Sequence, residues 1–332
     1  MTAAAVRTYV NRFAVLPGEN IIIATNNDSV YEGAVELSSA GAQVTLLDAR
    51  STVSTEYKQQ LTEHNIEVRC GMAPLQVQAA GSTAALEIAS ADGDGWRAAS
   101  TEPCDLVLVS GGWSPVVNLL SHRGVKPVWD SAQACFLAVE CAEPISVAGS
   151  AAGVWNSDDC VASGLAAAGD AIQLLRGQTS KITGPPAGGW QQPIQALYEV
   201  KVPDRKLKSF VDPQHDVTTE DVRLAHREGF VSVEHLKRYT TLGMATDQGK
   251  MGNIIGLALM AEALGKEIPE VGTTTFRPPY TPVSIGALRG RSVGRHFRPL
   301  RRTPLHEWNL DHAGTMTEAG LWQRPWYFAR EG

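Results

Sequence analysis

Lys237 and Arg238 fall at the end of a predicted helix, and Thr240, Thr241, Thr246 and Gln248 follow within a glycine-bearing loop. Two cations and several hydrogen-bond donors can there converge on a phosphate. The same cations also suit a plainer role, as solvated partners of the negative end of a helix dipole. A second cluster, Val147-Ala148-Gly149-Ser150-Ala151-Ala152-Gly153, puts a predicted strand end, a tight turn and exposed amides ahead of a helix full of alanine and glycine. That order suits an anionic ligand and equally suits close packing of small residues. A third candidate, the turn Thr25-Asn26-Asn27-Asp28-Ser29, opens a strand–helix–strand unit ending at Asp48, the frame of a dinucleotide site. It lacks the glycines that admit a pyrophosphate, and the Asp28 carboxylate would repel one, so the unit reads as retained scaffold and Asp48 as a strand-end residue. The histidines, among them His226, His235, His306 and His312, show no paired spacing with a carboxylate helper that would hold a metal.

The elements that must carry these residues follow from pattern. The chain has 332 residues, 43% hydrophobic and 19% charged, with 31 glycines and a net charge of −6, which describes an α/β protein of roughly two domains. No apolar run is long enough for a membrane helix, and the acidic balance argues against a nucleic-acid footprint. The five cysteines never fall as C-x-x-C and suit a reducing, cytoplasmic setting, and the first residues through Phe13 lack the features of a secretory leader. Ile21 to Ala24 and Val44 to Asp48 predict buried parallel strands around a helix from Val30 to Ala40. A helix from Ser54 to His64 and a strand from Ile66 to Cys70 follow. Ala84 to Ser90 and Trp96 to Ser100 predict a hairpin across Asp92-Gly93-Asp94-Gly95, and Leu106 to Val109 a further buried strand. Ile145 to Gly149 predicts a strand leading to a helix from Cys160 to Leu175. The proline- and glycine-rich stretch from Gly177 to Pro193 reads as a linker. Thr218-Thr219-Glu220-Asp221 predicts a helix start closed by Gly229, Ser232 begins a second helix, and Asn253 to Leu264 is a third, apolar enough to be buried. From Glu267 onward proline, arginine and tryptophan without periodicity predict an extended strap.

Several blocks carry a resemblance: Ala5-Val6-Arg7-Thr8-Tyr9, Ser110-Gly111-Gly112-Trp113-Ser114-Pro115, the long run from Ala225 through Lys250, and Gly272-Thr273-Thr274-Thr275-Phe276-Arg277-Pro278-Pro279-Tyr280. Together they resemble the α subunit of heterotetrameric sarcosine oxidase, across nearly the whole chain but only the middle of that subunit. The resemblance implies a glutathione-reductase-like fold in pieces. These are an inserted NAD(P)-binding-like α/β domain (1–144), part of a first dinucleotide-binding domain (145–176), a linker (177–210), a small helical domain (211–266) and an extended strap (267–332). It further implies a fragment or separately encoded central piece, without the family's glycine-rich first segment and its C-terminal folate-binding domain.

In that family sarcosine is oxidised at an FAD in the β subunit, electrons pass to an FMN at the α/β interface, and oxygen becomes hydrogen peroxide. The α subunit carries NAD and the folate site, and smaller γ and δ subunits complete the assembly. By resemblance, Lys237, Arg238 and Gln248, followed by Thr246 and Lys250, face FMN; Gly149, Ser150, Trp155 and Ser157 belong to an incomplete NAD site; and no residue is catalytic. The helical domain resembles 2Fe–2S domains related to bacterioferritin-associated ferredoxin, but Asp247-Gln248-Gly249 stands where Cys-Gln-Gly is usual, so no cluster is expected. Two alternatives remain, an α-type subunit of a related secondary-amine oxidase and an inactive truncated scaffold. In either case the Ile254 to Leu264 helix and Trp308, Trp322, Trp326 and Tyr327 are expected to expose surface that neighbours would cover.

Overall fold

A computed structural model describes residues 1–80, 83–93, 95–139, 145–176 and 194–330. The proline- and glycine-rich part of the expected linker, 177–193, lies outside the described residues. The chain forms two compact units, Met1–Tyr280 and Thr281–Gly332.

The first unit opens with α1 (Ala3–Phe13), β1 (Asn20–Thr25), α2 (Tyr31–Ser39), β2 (Gln43–Asp48), α3 (Thr55–Glu63) and β3 (Glu67–Cys70). An antiparallel meander follows, β4 (Met72–Ala80), β5 (Thr83–Asp92) and β6 (Gly95–Cys104), and the chain returns as β7 (Leu106–Ser110). The parallel sheet runs β3-β2-β1-β7. Side chains on a strand alternate between faces. Ile21, Ile23 and Leu46 accordingly pack with Val6, Tyr31, Leu37 and Leu61 of the helices, while Ile22 and Leu47 meet Leu86 and Ile88 of the meander. Cover on both faces is why these strands read as continuous apolar runs. The expected hairpin across Asp92 and Gly95 is present, with the register Asp92↔Gly95.

Beyond β7 come α4 (Asn118–His122) and the short hairpin β8 (Val128–Asp130) with β9 (Cys135–Leu137). Ile145 to Ala148 is not a strand, contrary to expectation: a single 3-10 turn at Gly149–Ala152 precedes α5 (Ser157–Arg176). An apolar pentapeptide becomes a strand only when a neighbouring strand takes up its backbone groups. No described strand pairs with it.

The helical part comprises β10 (Phe210–Asp212), β11 (Val217–Thr218), α6 (Thr219–Arg227), α7 (Val233–Thr240), α8 (Asn253–Leu264) and α9 (Ile268–Val271). Thr218 caps α6 with a reciprocal capping box to Asp221, as its sequence predicts. Helix α8 is buried, as its apolar composition predicts, and does not expose the surface for a neighbour that the resemblance implied. Its centre, Gly256 to Ala261, is buried, in a core where Leu257, Leu259 and Met260 join Val222, Ala225, Leu236 and Phe136. A helix apolar all round needs cover on every side, and this chain supplies it.

In the second unit the extended strap gives way to structure. Residues 281–284 carry no helix or strand, but α10 (Ile285–Leu288), β12 (Arg301–Arg302), α11 (His306–Asp311), β13 (Gly314–Ala319) and β14 (Trp322–Phe328) follow, with the strand order β12-β14-β13. The turn at Gly320, with φ of +64°, closes the β13–β14 hairpin.

Candidate functional site

The loop from Thr241 to Gly252 joins α7 to α8 and is shaped by left-handed backbone and local hydrogen bonds. Thr241, Gly243, Gln248 and Gly249 all have positive φ. The buried carboxylate of Asp212 accepts from the Gly243 amide at 2.9 Å, and Asn253 donates to the Gln248 carbonyl at 3.1 Å. Gln248 then spends its whole side-chain amide on the 277–280 segment. Nε2 donates to the carbonyls of Arg277 (2.7 Å) and Pro279 (2.8 Å), and Oε1 accepts from the Arg277 amide (2.8 Å). Lys250 completes this dock. Its Nζ donates to the Tyr280 carbonyl at 2.9 Å and lies 3.9 Å from the centre of the Tyr280 ring.

Lys237 and Arg238 occupy the last turn of α7. Arg238 is tied to Glu234 through the carboxylate (2.9 Å) and the carbonyl (2.7 Å). Lys237 is half-buried, and among the described residues neither its ammonium nor the Arg277 guanidinium makes a hydrogen bond or salt bridge. Burial holds the Lys237 ammonium below the ordinary lysine value, and Arg277 and Arg238 lower it further against the pull of Glu234. Two cations without salt bridges of their own, one of them half-buried, form a place that an incoming anion stabilises. The Thr246 hydroxyl donates to the side-chain Oε1 of Gln214 at 3.2 Å, and the Thr240 and Thr241 hydroxyls donate to local backbone carbonyls. Sequence reasoning did not single out Arg277. The signal was present in the Arg277-Pro278-Pro279-Tyr280 run, where no acidic residue lies close in sequence to pair with it.

The loop expected for NAD is brought together on one side of α5. Gly149 has φ of +61° and its amide donates to Ser163 Oγ at 3.2 Å, while Ser150 and Ser157 are exposed. Trp155 donates to Gln133 at 2.6 Å, and its ring lies 5.9 Å from that of Trp113. The first turn of α5 carries Asp158 and Asp159. An acidic first turn already answers the positive end of the helix, and it repels a pyrophosphate.

The first strand–helix turn is closed by its own side chains. Thr25 and Asn27 both donate to the Ser110 carbonyl, at 3.1 and 3.0 Å, and Asn27 Oδ1 accepts from the Ser29 amide at 3.0 Å. Asn26 exchanges hydrogen bonds with the backbone of Gln195, at 2.9 and 3.2 Å, so residues 194–195 lie across the strand ends. Asp48 is fully buried, accepting from Tyr31 and Arg50, and Arg50 also reaches Asp28 at 2.8 Å. These groups serve the fold, and the turn does not fit a dinucleotide. Among the described residues no three His, Cys, Asp or Glu side chains gather as a metal site.

Comparison with known proteins gives the following. The family model described as "Sarcosine oxidase A3 domain" matches residues 206–291, the region that holds the Lys237–Arg277 cluster. The sarcosine oxidase subunit alpha of Rhizobium meliloti (strain 1021) is 38% identical over all of this chain and 33% of its own length. That of Corynebacterium sp. (strain U-96) is 36% identical over all of this chain and 35% of its own. The chain thus spans about a third of the length of these curated relatives, and the resemblance read from its sequence extends along its whole length. Among solved structures, L-proline dehydrogenase from P. horikoshii is 14% identical, covering 81% of this chain and 79% of that one at a TM-score of 0.44.

Proposed function

We propose that this chain serves within a sarcosine oxidase alpha subunit, supporting the oxidative demethylation of sarcosine to glycine with production of hydrogen peroxide. Its part is to hold the phosphate of FMN at the contact with a beta subunit. The observation that carries the reading is that Lys237 and Arg277, neither of them in a salt bridge, lie near enough for the Arg277 charge to lower the Lys237 ammonium, inside the segment matched by the A3 domain.

The residues present fit a flavin phosphate. Lys237 and Arg277 supply the charge, and Arg238 adds to the field while held by Glu234. Gln248 and Lys250 keep the 277–280 segment in place so that Arg277 stays beside Lys237. Thr246 stands at the exposed side of the same loop. When bound, the flavin supplies electron transfer from the oxidised amine towards oxygen. No side chain of this chain is given a catalytic role, and FAD and folate belong to the complete assembly of alpha, beta, gamma and delta subunits. For NAD the chain would contribute the loop residues Gly149, Ser150, Trp155 and Ser157, with the Trp113 ring against that of Trp155 and an acidic first turn of α5 that disfavours a pyrophosphate.

Co-expression with a beta-type subunit, followed by flavin absorbance of the purified complex, tests the reading. A stable complex devoid of FMN ends it. Within that complex, Lys237→Met with Arg277→Met should release FMN while the subunits stay together, and undiminished FMN content would count against the assignment.

A further inference from the structure

A cavity with a volume of about 210 Å³ lies between the segment around α4 and residues 273–276. Among the described residues five hydroxyl residues line it, Ser114, Ser121, Thr273, Thr274 and Thr275, together with a single ionisable side chain, Lys126. Among the described residues none of these hydroxyls and not the Lys126 ammonium makes a hydrogen bond or ion pair within the chain. The rest of the wall is largely apolar, with Val117, Phe136, Leu257 and Phe276 contributing. Phe136 and Leu257 are buried members of the helical core, and the Phe276 carbonyl is fixed by His122 at 2.9 Å, so that side of the cavity is pre-formed.

We propose that this cavity binds a small monocarboxylate with an apolar body. The volume corresponds to about seven waters at their share of liquid water, enough for a small ring or branched chain with one acidic group. One cation with several uncommitted hydroxyl donors matches a single carboxylate. A phosphate dianion calls for more positive charge than one exposed lysine supplies. Among the described residues no carboxylate lines the wall, so a zwitterionic amino acid would bring an ammonium without a partner there. The site is therefore distinct from one for sarcosine, and it requires neither flavin nor a second subunit.

Titration calorimetry of the full chain with benzoate tests this, with benzamide and sarcosine as competitors. Saturable binding at one site is expected. Lys126→Met should weaken it about tenfold, the loss of one charge-assisted contact. Thr274→Val, which keeps the shape and removes a hydroxyl, should weaken it less. Neither benzamide nor sarcosine should displace benzoate. Absence of saturable binding, equal affinity in Lys126→Met, or displacement by sarcosine would each overturn the proposal. Because Lys126 is exposed, its replacement leaves the fold intact.

Discussion

At the scale of single residues, the half-buried Lys237 is a liability to the fold unless an anion meets it. Its ammonium titrates below the ordinary lysine value of 10.5, first through burial and then through Arg277 and Arg238. A lysine whose folded value is lowered binds its proton less tightly in the folded chain than in the unfolded one. Its charged form therefore costs stability at neutral pH, and that cost fades as pH rises from the folded value towards 10.5. Lys237→Met should raise the stability of the isolated chain at pH 7 by ~0.5 kcal/mol or less. The gain should shrink in alkaline solution, as read from urea midpoints of the two proteins across pH; a variant less stable at pH 7 would contradict the electrostatic account. Arg50 is the opposite case. Its guanidinium is buried between Asp28 and Asp48, whose side chains are 2% and 0% exposed. Arg50→Met would leave two carboxylates buried without their cation, costing about 3–5 kcal/mol by urea unfolding. A loss below ~1 kcal/mol would show that water replaces the guanidinium there.

At the scale of elements, the helical part depends on one cap and one close approach. Thr218→Ala removes the oxygen that accepts from the Asp221 amide, and should cost about 1 kcal/mol. Gly252→Ala should cost more, about 2–3 kcal/mol, because an added Cβ would stand 2.4 Å from the Val211 carbonyl oxygen, a backbone atom that cannot turn aside. Thermal unfolding of both variants ranks the two effects, and the reverse order would mean that α8 shifts freely against β10. The Thr218 cap and the Asn253–Leu264 span were legible in sequence because capping chemistry and apolar composition are local. Strand β4 was not. Pro74 interrupts it, and it is tolerated because β4 lies at the edge of the meander, with an irregular register between Pro74 and Gln76. The Ile145 to Gly149 strand failed for the converse reason, as its local pattern suits a strand and its pairing is a long-range fact. The cluster at Lys237 was half legible. The α7 cations stand in one run of sequence, but Arg277 reaches them only through Gln248 and Lys250, which in sequence look like ligands and in space act as fasteners.

At the scale of the whole molecule, the two units treat their apolar side chains differently. In Met1–Tyr280 the large aliphatic residues Ile23, Leu46, Leu236 and Met260 are sealed. In Thr281–Gly332 the aromatic residues are open: Trp326 is 73% exposed, Tyr327 54% and Trp308 51%. Strand β14 is exposed at nearly every position, so neither face of its sheet is packed as a sheet face normally is. An apolar surface of this kind is an association-prone patch. The isolated chain should therefore self-associate as its concentration rises and bind a hydrophobic dye. Trp326→Ser with Tyr327→Ser should reduce both, since the two rings lie together on β14, 5.8 Å apart. Sedimentation velocity reads the first effect and dye fluorescence the second. A monomer at all concentrations with no dye signal would mean that the second unit tolerates its open sheet unaided. Loss of the dye signal on adding a beta-type subunit would instead identify that subunit as the cover. Such a result would tie the exposed sheet to the assembly in which Lys237 and Arg277 are proposed to meet an anion.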